Sequence, residues 1–143
     1  MSNSKDLARI LHIELMPNVK IPITNSGVNM RYDLEERTSV FGEKIIEFAK
    51  SIKKNPINNA LISQIIRSGT SVGANYMEAD AANTKKDFKY KISLCRKESK
   101  ETKHWLRMIA KANPGLLKET RILWKEAHEL TLIFSAILNS KKN

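Results

Sequence analysis

The sequence predicts an all-α protein, an antiparallel up-down four-helix bundle behind a poorly structured N-terminal arm. Three observations carry that reading. From about residue 30 onward, apolar residues recur at alternating steps of three and four, the period of one helix face. The breaks between these periodic stretches are short, which forces neighbouring helices to run antiparallel. No alternating apolar–polar run competes for a strand. At 143 residues a folded chain buries roughly two-thirds of its unfolded surface, enough for a core of its own.

Residues 1–30 read as the arm and residues 31–143 as the bundle. Pro17, Pro22, Asn25, Ser26 and Gly27 punctuate the arm, leaving room for one short helix over 5–15. The arm is either genuine or the product of a start placed upstream of Met30; both readings stay open. The first bundle helix is expected over 34–54, with Asp33 as N-cap and Glu36 completing a capping box. Its stripe is Leu34, Phe41, Ile45, Phe48 and Ile52, and Asn55-Pro56 stops it. The second is expected over 59–81, on Leu61, Ile65, Ser68, Val72, Asn75 and Ala79. The third starts after Thr84, which has Asp87 three residues on, and runs to about 112. Phe88, Ile92, Cys95, Ser99, Thr102, Leu106 and Ile109 form its seam. The fourth opens with Asn113 as cap and Pro114 in the first helical position. Leu116, Leu123, Ala127, Leu130, Phe134 and Ile137 are its buried face.

The second helix carries Gly69 and Gly73 in its interior. Each costs about 1 kcal/mol relative to Ala, so packing must compensate. Ser68, Gly69, Ser71, Gly73 and Ala74 would admit another helix backbone at close range. The run from Gln64 through Arg67-Ser68-Gly69, Asn75 and Glu78 to Ala79 carries a resemblance. So do Asp33-Leu34-Glu35-Glu36-Arg37-Thr38, Asp87-Phe88, the run Lys97-Glu98-Ser99-Lys100-Glu101-Thr102, and Trp105-Leu106. Together they resemble the four-helix-bundle family that includes proteins encoded in intervening sequences of bacterial large-subunit ribosomal RNA. They are also similar to the accessory proteins of diversity-generating retroelements. The resemblance spans about 31–140, and Arg67-Ser68 through Asn75 and Glu78 is its most specific part. It implies a non-enzymatic bundle, often pentameric, with a basic surface proposed to bind nucleic acid.

Composition narrows the function classes. The chain has 25 basic and 15 acidic residues, a formal net charge of +10. Such an excess points to a polyanionic partner, nucleic acid or an anionic membrane surface. One cysteine excludes an internal disulfide framework and any multi-cysteine metal site. Asp6, Arg9 and Glu14 interrupt any signal-peptide core. The longest charge-free run, 55–66, is 12 residues, short of the roughly 18 that cross a bilayer. A cytoplasmic protein without a membrane role is therefore expected.

The basic residues concentrate on the third helix: Lys85, Lys86, Lys89, Lys91, Arg96, Lys97, Lys100, Lys103, Arg107 and Lys111, against Asp87, Glu98 and Glu101. Lys89, Arg96, Lys100, Lys103, Arg107 and Lys111 form one stripe beside the apolar seam. The candidate nucleic-acid-binding residues are that stripe with Lys85 and Lys86. No base-reading motif accompanies them, so recognition would lean on backbone charge and shape, of RNA or DNA alike. A solvated, solubilising face is the alternative. Arg67, Asn75 and Glu78 read as a structural polar cluster.

Catalytic and cofactor chemistry finds little support. Glu101 and His104 make a Glu-x-x-His, as in di-iron bundles, but Lys125 rather than Glu stands three before His128, so the second copy is missing and no metal is expected. Arg121 and His128 fit the loose Arg-x(4–6)-His spacing of HEPN-type ribonucleases, the runner-up reading, though Ile122 departs from the polar residue often found there. Cys95 reads as a small buried hydrophobe. No cofactor loop or catalytic triad can be assembled. Tyr90, Leu94, Trp105 and Met108 on the third helix, with Leu117, Trp124 and Leu138 on the fourth, exceed one interior's needs. That surplus predicts a homo-oligomer. A purely structural oligomer is the remaining alternative.

Overall fold

The computed structural model describes residues 34–140. Among them are α1 (Leu34–Ser51), α2 (Pro56–Asp80), α3 (Lys85–Ala112), a 3-10 turn (Pro114–Leu116) and α4 (Leu117–Asn139), with no strand. The arm, its 5–15 helix and the Asp33 cap lie outside the described residues. Asn55-Pro56 does more than stop a helix. Asn55 takes extended backbone and its side chain accepts from the Asn58 amide at 2.8 Å, so Pro56 opens α2 three residues before the expected start. The mechanism is ordinary: Pro lacks the N–H that a first turn cannot satisfy. Thr84 caps α3 as expected, accepting from the Asp87 amide at 3.1 Å. Asn113 does not cap α4 with its side chain. Its amide instead pairs reciprocally with that of Asn58, two hydrogen bonds of 2.9 Å, which ties the end of α3 to the start of α2. Deprived of that cap, the chain tightens through the 3-10 turn before α4 begins.

Connections of a few residues make consecutive helices antiparallel, and cross-helix contacts show the register. Thr38 meets Gly73 and Ile45 meets Gly69 across α1 and α2. Ser68 meets Thr102, and Glu78 meets Lys91, across α2 and α3. Most of the predicted stripe residues form the core: Phe41, Ile45, Ile65, Val72, Ile92, Cys95, Leu106, Leu130 and Phe134 are all buried, while Leu61, Phe88 and Leu116 pack half-buried against it and Asn75 is half-buried. Tyr76 is buried completely as well, a position the stripe on α2 passed over.

The close approach expected of the small residues is real but narrower than the motif. Gly69 and Gly73 face α1; a Cβ on Gly69 would lie 2.8 Å from Ile45 Cγ1, and one on Gly73 would lie 3.3 Å from the Thr38 carbonyl oxygen. Ser68 faces α3 instead, accepting from the Thr102 hydroxyl at 3.0 Å, and Ala74 is exposed. On the far side, Arg37 joins α1 to α4. Its guanidinium reaches Glu126 at 2.5 Å and Glu129 at 2.6 Å with only 15% of the side chain exposed.

Cys95 sits at 0% exposure on the α3 seam, and burial pushes its thiol up to about 12. Because the thiolate is the reactive species, Cys95 should resist a disulfide reagent at pH 8 for as long as the bundle is folded. It should react within minutes once denaturant unfolds the chain. Fast labelling of the native protein would show that the α3 seam opens.

Candidate nucleic-acid interface

Helix α3 is buried along one stripe and presents two chemically different flanks. The flank toward α2 holds the acidic residues. Arg67 of α2 donates to Glu98 at 3.3 Å and also to Glu101. The hydrogen bond to Glu101 is the main cause that raises the Arg67 pKa. Glu98 goes the other way from a well-paired carboxylate: burial raises its pKa, Glu101 adds repulsion, and the shared guanidinium does not offset them. One cation is serving two carboxylates, and Glu101 holds the better bond. Further along, Lys91 meets Glu78 at 2.5 Å.

The flank toward α4 is basic. Lys85, Lys86, Lys89, Lys100, Arg107 and Lys111 are exposed and Arg96 is half-buried. None pairs with a carboxylate among the described residues. Four carboxylates of α3 and α4 are engaged elsewhere: Glu98 and Glu101 by Arg67, Glu126 and Glu129 by Arg37. The segregation follows from helical periodicity. Basic residues one step round from the seam fall on one side of α3, and acidic residues one step back fall on the other.

Lys103 is the exception within the stripe. It is half-buried between α3 and α4, its ammonium 3.1 Å from His128 Nδ1 and 5.1 Å from the centre of the Trp124 ring. Burial lowers its pKa, with Lys100 adding repulsion. An ammonium can only donate, so in this contact Nδ1 of His128 is the acceptor. His128 in turn stacks on Trp124, with centroids 5.0 Å apart and planes inclined by 16°. Next to this group, a depression of about 180 Å³ lies between the end of α3 and the start of α4, with Arg107, Arg121 and Trp124 among its lining residues.

The expected polar cluster does not form as one unit. Arg67 and Glu78 are eleven residues apart on one helix, roughly 16 Å along its axis, too far to share a network. Arg67 joins the α3 carboxylates, Glu78 joins Lys91, and Asn75 donates to the Ser71 carbonyl of its own helix at 2.9 Å. Arg121 and His128 do share a face of α4, with Trp124 between them, but no described hydrogen bond joins them. Glu101 is engaged by Arg67 and His104 packs edge-on to Trp105 at 4.9 Å. Among the described residues no three metal-ligating side chains come together, and no helix is long and apolar enough to cross a membrane. Sequence reasoning missed Arg37, whose partners lie 89 and 92 residues away. It also missed that Trp124, Lys103 and His128 converge. A tighter reading of the α4 period, placing Arg121, Trp124 and His128 on one flank, would have exposed the second.

Residues 32–136 match the family described as 23S rRNA-intervening sequence protein. The fold is similar to the crystal structure of a protein of unknown function from the S23 ribosomal protein family of Bacteroides thetaiotaomicron, with 25% identity and a TM-score of 0.66. That match covers 75% of this chain and 99% of the other. No curated protein matches the chain.

Proposed function

The chain belongs to the 23S rRNA-intervening sequence protein family, and from that premise and its charge layout we propose that it is a non-enzymatic, cytoplasmic protein that binds RNA or DNA through the α4-facing flank of α3. One observation carries the reading: the basic residues of that flank have no carboxylate partners among the described residues, while Glu98, Glu101, Glu126 and Glu129 are held by Arg67 and Arg37. Like charges at steps of three and four repel by a few tenths of a kcal/mol per pair. Phosphates relieve that cost and release counterions as they bind. The flank offers long cations and no paired amide or carboxylate groups for base edges, so affinity should track phosphate number rather than sequence. The test is binding of short RNA and DNA oligonucleotides across a salt series. A steep fall of affinity with salt supports the reading, and no binding at low salt overturns it.

Assembly is part of the proposal. Tyr90 is 59% exposed and Ile122 61%, and Leu94 and Met108, about one turn and five turns along α3 from Tyr90, are half-buried. Apolar surface of this kind on a compact bundle fits a subunit contact; Leu117 and Trp124 of the same apolar surplus line the depression beside the basic flank instead. The reading is a closed homo-oligomer, with five copies as the number the resemblance implies. Light scattering after size exclusion should give a mass several times that of one chain. A stable monomer at micromolar concentration would remove this part of the proposal.

A further inference from the structure

The depression between the end of α3 and the start of α4 has a shape and chemistry that the charge argument does not use. Leu106, Ala110 and Leu117 give it an apolar floor, Trp124 forms a wall, and Arg107 and Arg121 line it as cations. We propose that it is a subsite for one unpaired base of a single-stranded nucleic acid, with the adjoining phosphates held by Arg107 and Arg121. This rests on the nucleic-acid reading above and narrows it from charge to strand type.

Size is the first argument. About 180 Å³ is well below the roughly 300–1,000 Å³ of sites for drug-sized molecules, and suits a single flat ring system. Trp124 is the second. The indole is still 41% exposed, yet His128 stacks on it and the Lys103 ammonium lies over its ring. A ring held in place this way gives up little freedom when a base stacks against it. Charge is the third. Arg107 and Arg121 are exposed and unpaired with carboxylates among the described residues, within the reach of a backbone whose base sits between them.

The wall also says what the subsite does not do. The Thr120 hydroxyl, the one side-chain hydroxyl lining the depression, donates to the Leu116 and Leu117 carbonyls at 3.0 and 2.8 Å. The lining donors left are the two guanidinium groups and the indole N–H of Trp124. Stacking of this sort tolerates any base. A duplex cannot use it, because its bases are already stacked on their neighbours, whereas single strands present unstacked bases to aromatic and Arg side chains.

The experiment compares an eight-nucleotide single-stranded RNA with the matching duplex, using the full chain and the variants Trp124→Ala, Trp124→Phe and Arg121→Gln. Trp124→Ala should weaken single-strand binding about tenfold and duplex binding much less, with circular dichroism showing that the variant is folded. Trp124→Phe keeps an aromatic wall and should retain most of the affinity. Arg121→Gln should weaken the single strand more than the duplex. Equal losses for both strand types with Trp124→Ala, or no loss for either, overturn the subsite and leave the charged flank standing. Absence of binding by either strand type at low salt overturns both.

Discussion

Gly69→Val should destabilise the bundle by about 3 kcal/mol or more. The Cβ alone would lie 2.8 and 2.9 Å from the two Cγ atoms of Ile45, and Val adds two methyl groups beyond it. Overpacking a filled core typically costs about 1–3 kcal/mol and occasionally more. Val is only slightly better than Gly in a helix, so propensity offsets little. The obstacle is the Ile45 side chain, which is fully buried and cannot swing away. Ile45→Ala alone should cost about 2–5 kcal/mol through its cavity. In the double variant the Val methyls enter that cavity, so the two losses should not add; a coupling of about 0.5–3 kcal/mol is expected. Gly115→Ala is the control, because nothing lies within 4 Å of its Cβ. Urea unfolding of the parent and these four variants checks this. Strict additivity would mean that Gly69 is not there for the close approach of α1.

Both halves of that contact show how far the sequence is legible. Mid-helix glycines announce a close crossing because their helix penalty demands a compensation. The sequence does not say which neighbour crosses, since Ser68 and Gly69 are adjacent yet face α3 and α1 respectively. Helix existence and burial follow from period alone, which is why α3 and the seams of α1 and α4 agree with expectation. Caps are less legible, because Asn is competent in several roles. Asn55 caps α2, whereas Asn113, in front of Pro114 and reading equally well as a cap, is claimed by Asn58 from a different helix. Charge partners are the least legible. Spacing along one helix places Arg67, Asn75 and Glu78 on a common side but cannot bring residues three turns apart together. The partners that matter, Glu98 and Glu101 for Arg67, come from α3. The basic stripe was readable as a stripe. Its isolation from carboxylates was not, because that depends on Arg37 and Arg67 holding acidic residues from other helices.

Changing Lys89, Arg96, Lys100, Lys103 and Arg107 together to Gln should flatten the salt dependence of nucleic-acid binding and weaken binding to every sequence alike. If one chain neutralises about five phosphates on a duplex, log affinity should fall with log salt at a slope near −4.5. That slope means a loss of about 500-fold between roughly 50 and 200 mM salt, with a shallower fall on single strands. Losing the stripe removes the counterion release that produces the slope. Gln keeps helix propensity close to that of Lys and Arg, and removing like charges at steps of three and four relieves repulsion, so the bundle should melt no lower than the parent. Within the five, Lys103 should matter least to the slope, because burial already disfavours its ammonium and His128 takes one of its hydrogen bonds. Restoring Lys103 alone should recover less than restoring Lys100. The comparison is Lys44, Lys50 and Lys53 to Gln on and just beyond α1. All three are exposed, and Lys50 has a carboxylate partner in Glu47 at 3.4 Å. Those changes lower net charge without touching the α3 flank, so they should cost less affinity per charge removed. Equal losses per charge on the two faces would reduce the α3 stripe to a solvated surface, whereas a loss concentrated on α3 fits phosphates bound where no carboxylate competes.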